Sequence, residues 1–265
     1  MAQYDAFAEF RMDGSNVIVT GGAQNIGAGI VKILSGAGAK VMIADLNGDL
    51  AAKTAAEIAS QTGNECRGMA CDVTKMEDIK SVVAATVAAF GGISTLVNNV
   101  GWGRRHEDPT AISEDDFIAS YKLNTISAYR MSMACLPHLL KSENASITNS
   151  GSYSSATPAY DILAYATAKA ALNQMMVSLA HMLNKRVRVN SVLIGTIVTA
   201  GYEAAGIDPA VQDRLRHPDN LTGRAGRPED VANAMLWLCS RASGWVSGQT
   251  IKVHGGGGVV RLFGA

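Results

Sequence analysis

Tyr165 and Lys169 stand four residues apart in the run Ala164-Tyr165-Ala166-Thr167-Ala168-Lys169, inside a segment of apolar periodicity that continues to Leu183. A helix places residues i and i+4 on one face, so the phenol and the ammonium would adjoin. The chemistry that follows is proton transfer. A free phenol titrates at about 10, and a neighbouring cation favours the phenolate, which gives a general acid or base suited to an alcohol or a carbonyl. On most helices such a pair is simply a solvated contact. Two upstream features turn it into a candidate site. Ser152 lies thirteen residues before the tyrosine, just past the strand-like run Ala145-Ser146-Ile147-Thr148-Asn149-Ser150, and a glycine-rich turn opens the chain.

That turn follows the apolar run Val17-Ile18-Val19 and reads Thr20-Gly21-Gly22-Ala23-Gln24-Asn25-Ile26-Gly27-Ala28-Gly29 before the helical Ile30-Val31-Lys32-Ile33-Leu34. Gly21 permits a tight exit from the strand. Gly27 lets the helix start pack closely and present its N–H groups and dipole to a pyrophosphate. Asp45 ends the next strand eighteen residues after Gly27, where a carboxylate takes ribose hydroxyls. It would also repel a 2′-phosphate, and the turn holds no Arg or Lys to neutralise one, so the pattern predicts NAD rather than NADP. The competing reading of Asp45 is a loop carboxylate that starts the turn Asp45-Leu46-Asn47-Gly48.

The elements that must position these residues are short β-branched runs separated by helical periodicity. Val17-Ile18-Val19, Val41-Met42-Ile43, Thr95-Leu96-Val97, Val187-Arg188-Val189 and Ile251-Lys252-Val253 join the run before Ser152 as strands. The alternation predicts a single-domain α/β fold, a doubly wound parallel sheet with helices on both faces. The domain is expected over residues 14–257, after an N-terminal extension at 1–13 and before a C-terminal tail at 258–265. The polar stretch at about 200–223, punctuated by Gly206, Pro209 and Pro218, is either an active-site lid or an irregular surface loop. Charges balance at 23 basic and 23 acidic residues, which gives nucleic acid or an anionic membrane no electrostatic motive. Cys66, Cys71, Cys135 and Cys239 lack metal-ligand spacing and suit small buried hydrophobes, so no metal is expected. No targeting segment and no apolar stretch of about 20 residues is evident, and the expectation is a soluble cytoplasmic protein without a membrane partner.

Taken in order, Thr20-Gly21, Cys71-Asp72-Val73, Asn98-Asn99-Val100-Gly101, Asn124, Ser152, Tyr165 and Lys169 resemble the motifs of the short-chain dehydrogenase/reductase family. Arg188-Val189-Asn190, the stretch from Gly195 to Thr199, Arg224-Ala225-Gly226-Arg227-Pro228-Glu229-Asp230 and Gly255-Gly256 extend the likeness over almost the whole chain. Within the family, Met12-Asp13-Gly14 and Trp245-Val246-Ser247-Gly248-Gln249 are loosely most like bacterial hydroxysteroid dehydrogenases. The resemblance implies a Rossmann-type fold and NAD-dependent interconversion of a secondary alcohol and a ketone. Tyr165 would exchange the alcohol proton. Lys169 would lower its pKa and hold the nicotinamide ribose, Ser152 would hydrogen-bond the substrate oxygen, and Asn124 would order a relay water near the lysine. Cofactor contacts would come from Gly21, Gln24, Asn25, Ile26, Gly27, Asp45, Leu46, Asp72, Val73, Asn99, Val100, Gly101, Tyr165, Lys169, Gly195, Ile197 and Thr199. Four positions depart from the family pattern. Asn25 replaces a glycine and should preserve the turn, because Asn tolerates positive φ. Val100 replaces an alanine, Ile194 a proline and His254 an aspartate.

Substrate choice falls to loops after the strands, with Trp102, Arg104, Arg105 and His106 on one, Tyr153 and Tyr160 around the serine, and Tyr202 in the lid. Two arginines suit a carboxylate substrate; otherwise they are solvated, and the substrate is a hydroxysteroid-like, alicyclic or aromatic alcohol. Alternatives are reduction of an oxoacyl or anionic carbonyl substrate, epimerisation, enoyl reduction (which usually spaces its tyrosine and lysine more widely), and a non-catalytic NAD-binding regulator. A homotetramer is expected partly from the family and partly from surplus apolar surface on the segment from Ala164 to Leu183 and on the tail from Val259 to Phe263.

Overall fold

Along strand β1 (Asn16–Thr20) successive side chains enter opposite cores, Val17 and Val19 one and Ile18 the other. A strand apolar on both faces needs helices on both, which is the doubly wound arrangement. The computed structural model describes residues 5–199 and 220–257. Six further strands join β1: β2 (Lys40–Asp45), β3 (Cys66–Ala70), β4 (Thr95–Asn98), β5 (Ser146–Ser152), β6 (Arg188–Ile194) and β7 (Thr250–Val253). All pair in parallel in the order β3-β2-β1-β4-β5-β6-β7. Val17, Val41 and Thr95 share one level of the register.

One face is covered by α1 (Asn25–Gly36), α2 (Gly48–Thr62) and α7 (Pro228–Cys239), which pack on Val17, Val19, Val41, Ile43 and Val97. On the other face lie α3 (Met76–Phe90), α5 (Ser127–Leu139) and α6 (Leu163–Met182), over Ile18, Leu96, Ile147 and Val189. A shorter α4 (Glu114–Tyr121) begins in a capping box, in which Ser113 Oγ accepts from Asp116 N and Asp116 accepts from Ser113 N. It continues through a π-turn at Lys122–Ile126 into α5. Because the chain builds outward from β1 to β3 and then returns to the other side at β4, the carboxyl ends of β1 and β4 form the crevice of a switch point.

Strand β3 carries no β-branched residue and was not foreseen. Its Gly68 exists for packing, since a Cβ there would lie 2.2 Å from the carbonyl carbon and oxygen of Ala51 in α2. Strand β6 runs through Ile194, well past the Val187-Arg188-Val189 run. Met12, inside the N-terminal extension, is 1% exposed and donates its N–H to Ala37 O at 2.8 Å, so packing begins before residue 14. Most of the expected lid, with Tyr202, and the tail from Gly258 onward lie outside the described residues. Among the described residues no helix is long and apolar enough to cross a membrane, and no group of His, Cys, Asp or Glu side chains is placed to hold a metal. Burial raises the thiol pKa of Cys71 and Cys135 to about 12 and that of Cys239 to about 11, which makes them inert packing groups.

Candidate active site

At the end of β1 the chain turns through Gly21, whose φ of +62° is left-handed and whose N–H donates to Ala44 O at 2.7 Å. Asn25 also takes a positive φ, 52°, so the substituted turn keeps its shape. A Cβ on Gly27 would lie 1.9 Å from Gly21 O, and only glycine allows α1 to start this close to the strand end. Asn99 fastens the turn from β4, with Nδ2 donating to Gly21 O at 3.0 Å and Oδ1 accepting from Ser150 Oγ at 2.9 Å. Asp45 ends β2 as the sequence suggests and also starts the following turn, accepting from Ala23 N and Asn47 N, each at 3.1 Å. Further along, hydrogen bonds from Thr74 hold the Asp72 carboxyl below its ordinary range.

These features line a cleft of about 600 Å³ that reaches from the α1 start to α6. Every residue assigned to cofactor contact from the sequence lies in its wall, from Gly21 to Thr199, together with Ser152. The order of groups fits a dinucleotide: backbone N–H donors at a helix start for phosphates, a carboxylate beside them for a ribose, and titratable side chains at the far end.

At that far end, Tyr165 and Lys169 sit one turn apart on α6, with Lys169 Nζ 5.8 Å from the phenol ring centroid. Ser152 closes β5 opposite them, its Oγ 2.7 Å from Ser154 Oγ. Lys169 is 1% exposed, and its Nζ donates to Ser150 O at 2.8 Å and to Val100 O at 3.4 Å. These acceptors are carbonyls rather than carboxylates, and desolvation lowers the pKa of Lys169 from 10.5 to about 7. Two glycines make room for the pair. A Cβ on Gly101 would meet Lys169 Nζ at 2.7 Å, and one on Gly103 would meet Tyr165 Cβ at 2.3 Å.

Asn124 does not line the cleft. It is buried in the π-turn, where its Oδ1 accepts from Trp102 N at 3.2 Å and its Nδ2 donates to Trp102 O and Ser120 O, each at 2.9 Å. Among the described substrate candidates only Trp102 is in the cleft wall. Arg104 reaches Asp116 at 3.6 Å, Arg105 pairs with Asp161, and His106 Nε2 lies 3.7 Å from Asp116. Tyr153 stacks on His254 with ring centroids 4.1 Å apart, and Tyr160 is half exposed outside the wall. Asn98 is structural, its Nδ2 donating to Asn149 Oδ1 at 2.9 Å between strand ends. Leu123, Ser150 and Gly151 line the cleft without having been singled out. Ser150 acts through its main-chain carbonyl, which leaves no side-chain signal; Leu123 was within reach as the neighbour of Asn124.

The chain is similar to known proteins in sequence and in fold. A family model described as enoyl-(acyl carrier protein) reductase matches residues 21–257. The chain is 32% identical over 248 residues to 7α-hydroxysteroid dehydrogenase of Escherichia coli K12, covering 93% of this chain and 95% of the relative. It is 36% identical over 243 residues to 4-formylbenzenesulfonate dehydrogenase of Comamonas testosteroni, covering 90% and 96%. A solved 7α-hydroxysteroid dehydrogenase, complexed with NADH and 7-oxo glycochenodeoxycholic acid, aligns with a TM-score of 0.89 at 32% identity over 98% of this chain and all of its own.

The buried lysine has a measurable consequence in the cofactor-free protein. Between pH of about 7 and 10.5 the unfolded chain holds a proton at Lys169 and the folded chain does not. Stability therefore rises with pH across that window through this group, by at most about 1.4 kcal/mol per unit, and below it the burial penalty is constant. Urea unfolding of wild type and Lys169→Met from pH 7 to pH 10 should show the rise only in wild type; parallel pH dependences would remove the buried, deprotonating lysine.

Proposed function

Since the chain belongs to the short-chain dehydrogenase/reductase family, an oxidoreductase with a nicotinamide cofactor, we propose that it is an NAD-dependent dehydrogenase interconverting a secondary alcohol and a ketone. The observation that carries this reading is the convergence of Ser152, Tyr165 and Lys169 on one end of a cleft whose other end is a glycine turn and Asp45. In the oxidation direction Ser152 Oγ hydrogen-bonds the substrate oxygen, and Tyr165, as phenolate, takes the hydroxyl proton. A nicotinamide held in the cleft would supply the acceptor for the hydride that leaves the carbinol carbon. Lys169 stabilises the phenolate while protonated, and burial brings its own pKa down to about 7. Lys169 would also hold the nicotinamide ribose, and Asn124 would support the relay by fixing the neighbouring loop.

Asp45 supports NAD, since its carboxylate stands in the wall beside the α1 start. A neutral alicyclic, aromatic or hydroxysteroid-like substrate is favoured over an anionic one because both loop arginines already face carboxylates. The matching family model's description names an enoyl reductase, but the four-residue spacing of Tyr165 and Lys169 together with Ser152 favours carbonyl chemistry. The intact set opposes a non-catalytic regulator. For assembly, Ala168, Leu172, Met176 and Leu179 face the core and account for part of the apolar surface of α6. Phe117, Ile118, Tyr121 and Tyr129 on α4, its π-turn border and α5 are exposed, and a homotetramer in the cytoplasm would cover such surface.

Three experiments follow. Tyr165→Phe removes one acidic proton and little volume, so turnover should vanish while NAD still binds; a kcat above about a tenth of wild type, roughly 1.4 kcal/mol of barrier, would exclude Tyr165 as the proton-transfer group. Wild type should prefer NAD strongly, and Asp45→Ala should narrow the gap in kcat/KM between NAD and NADP. Equal use of both cofactors by wild type would end the Asp45 reading. Light scattering at micromolar concentration should give a tetramer, and a single monomeric species would refute the assembly.

A further inference from the structure

We propose that Trp102 is a fixed wall that selects a rigid ring substrate of at least bicyclic size, a specificity that rests on the dehydrogenase reading above. Its main chain is held from both sides by one side chain: Asn124 Oδ1 accepts the Trp102 N–H at 3.2 Å and Asn124 Nδ2 donates to the Trp102 carbonyl at 2.9 Å. The same amide donates to Ser120 O at 2.9 Å, so Asn124 ties the loop to α4. Both residues that flank the indole are glycines held tightly against the reactive pair, Gly101 on Lys169 and Gly103 on Tyr165. No side chain fits between the loop backbone and those groups, which makes the indole the first side chain of this loop beside the tyrosine. Beyond Gly103 the loop is fastened again, by Arg105 on Asp161 and by the His106 N–H on Asp161 O at 2.8 Å.

On this fixed mount the indole is 66% exposed while lining the cleft with Ser152 and Tyr165. A large aromatic surface left in water gains when a ligand covers it, and the anchored main chain beneath it need not reorganise on doing so. The chemistry of the ligand follows from what surrounds the ring. The adjacent cations are engaged by Asp116 and Asp161, so the wall offers an apolar face without a free positive charge from this loop. A flat or gently puckered fused ring system covers such a face; a short acyclic ketone touches only an edge of it.

The test is equilibrium binding of the bicyclic ketone decalone and the acyclic ketone acetone to the cofactor-loaded protein, followed by calorimetry and by tryptophan emission. Trp237 and Trp245 supply a constant background. Decalone should perturb the emission of wild type, and Trp102→Ala should weaken decalone binding by about tenfold or more relative to acetone and abolish the perturbation. Trp102→Phe, which keeps an aromatic face, should retain most of the preference, and Trp102→Leu, which removes that face with less lost volume, should lose it and serves as the second variant if the alanine protein does not fold. An unchanged decalone-to-acetone affinity ratio in the alanine or leucine variant, or no decalone binding to wild type, would overturn the wall. The parent reading fails differently: decalone would bind through Trp102 while no alcohol or ketone of the ring class exchanged hydride with the nicotinamide.

Discussion

Burying one amine against main-chain carbonyls is the constraint around which this molecule is arranged. Lys169 Nζ donates to the main-chain carbonyls of Val100, just past β4, and of Ser150 in β5, two neighbouring strands on one side of the switch point. A buried ammonium in that position is costly, and a buried neutral amine still needs its hydrogen bonds. The carbonyls meet the second need without meeting the first. That leaves the lysine near the point where it changes charge at neutral pH.

The surrounding backbone follows from the same requirement. Strand β5 must end where its carbonyl at Ser150 points to α6, which sets Ser152 across from Tyr165. The loop after β4 must lie flat on the lysine and tyrosine, and it does so through Gly101 and Gly103, where any Cβ would collide. Asn124 then bridges that loop to α4 from inside a π-turn, a local irregularity of the kind found at functional sites. At the other end of the cleft, Gly27 plays the matching part by letting α1 begin against Gly21 O. Both ends therefore depend on backbone brought closer than side chains permit.

Features carried by side-chain chemistry were legible in the sequence, and features made by packing were not. The glycine turn, the carboxylate at the end of β2 and the i, i+4 tyrosine–lysine pair announce themselves through residue type and spacing. Alternating apolar runs gave the parallel sheet. Strand β3, Cys66-Arg67-Gly68-Met69-Ala70, gave no such sign, because its form is imposed by pairing with β2 and by α2 lying on Gly68. Arg104 and Arg105 looked available for an anion until Asp116 and Asp161, from separate segments, were placed beside them. Asn124 drew notice for its place near the lysine, and its side chain also grips a peptide 22 residues away in sequence, a contact that residue type alone does not encode. His254, noted only as a departure from an aspartate, turned out to stack on the tyrosine that follows Ser152.

The central claim is that the fold itself, before any ligand binds, sets Lys169 near neutrality. A site-resolved titration of the lysine side-chain nitrogen in the cofactor-free protein by nuclear magnetic resonance addresses this directly, with Lys169→Met identifying the signal. The account predicts a midpoint near 7, far below the ordinary lysine value of 10.5. A midpoint within about one unit of the ordinary value, inside the normal spread for lysines in proteins, would contradict it.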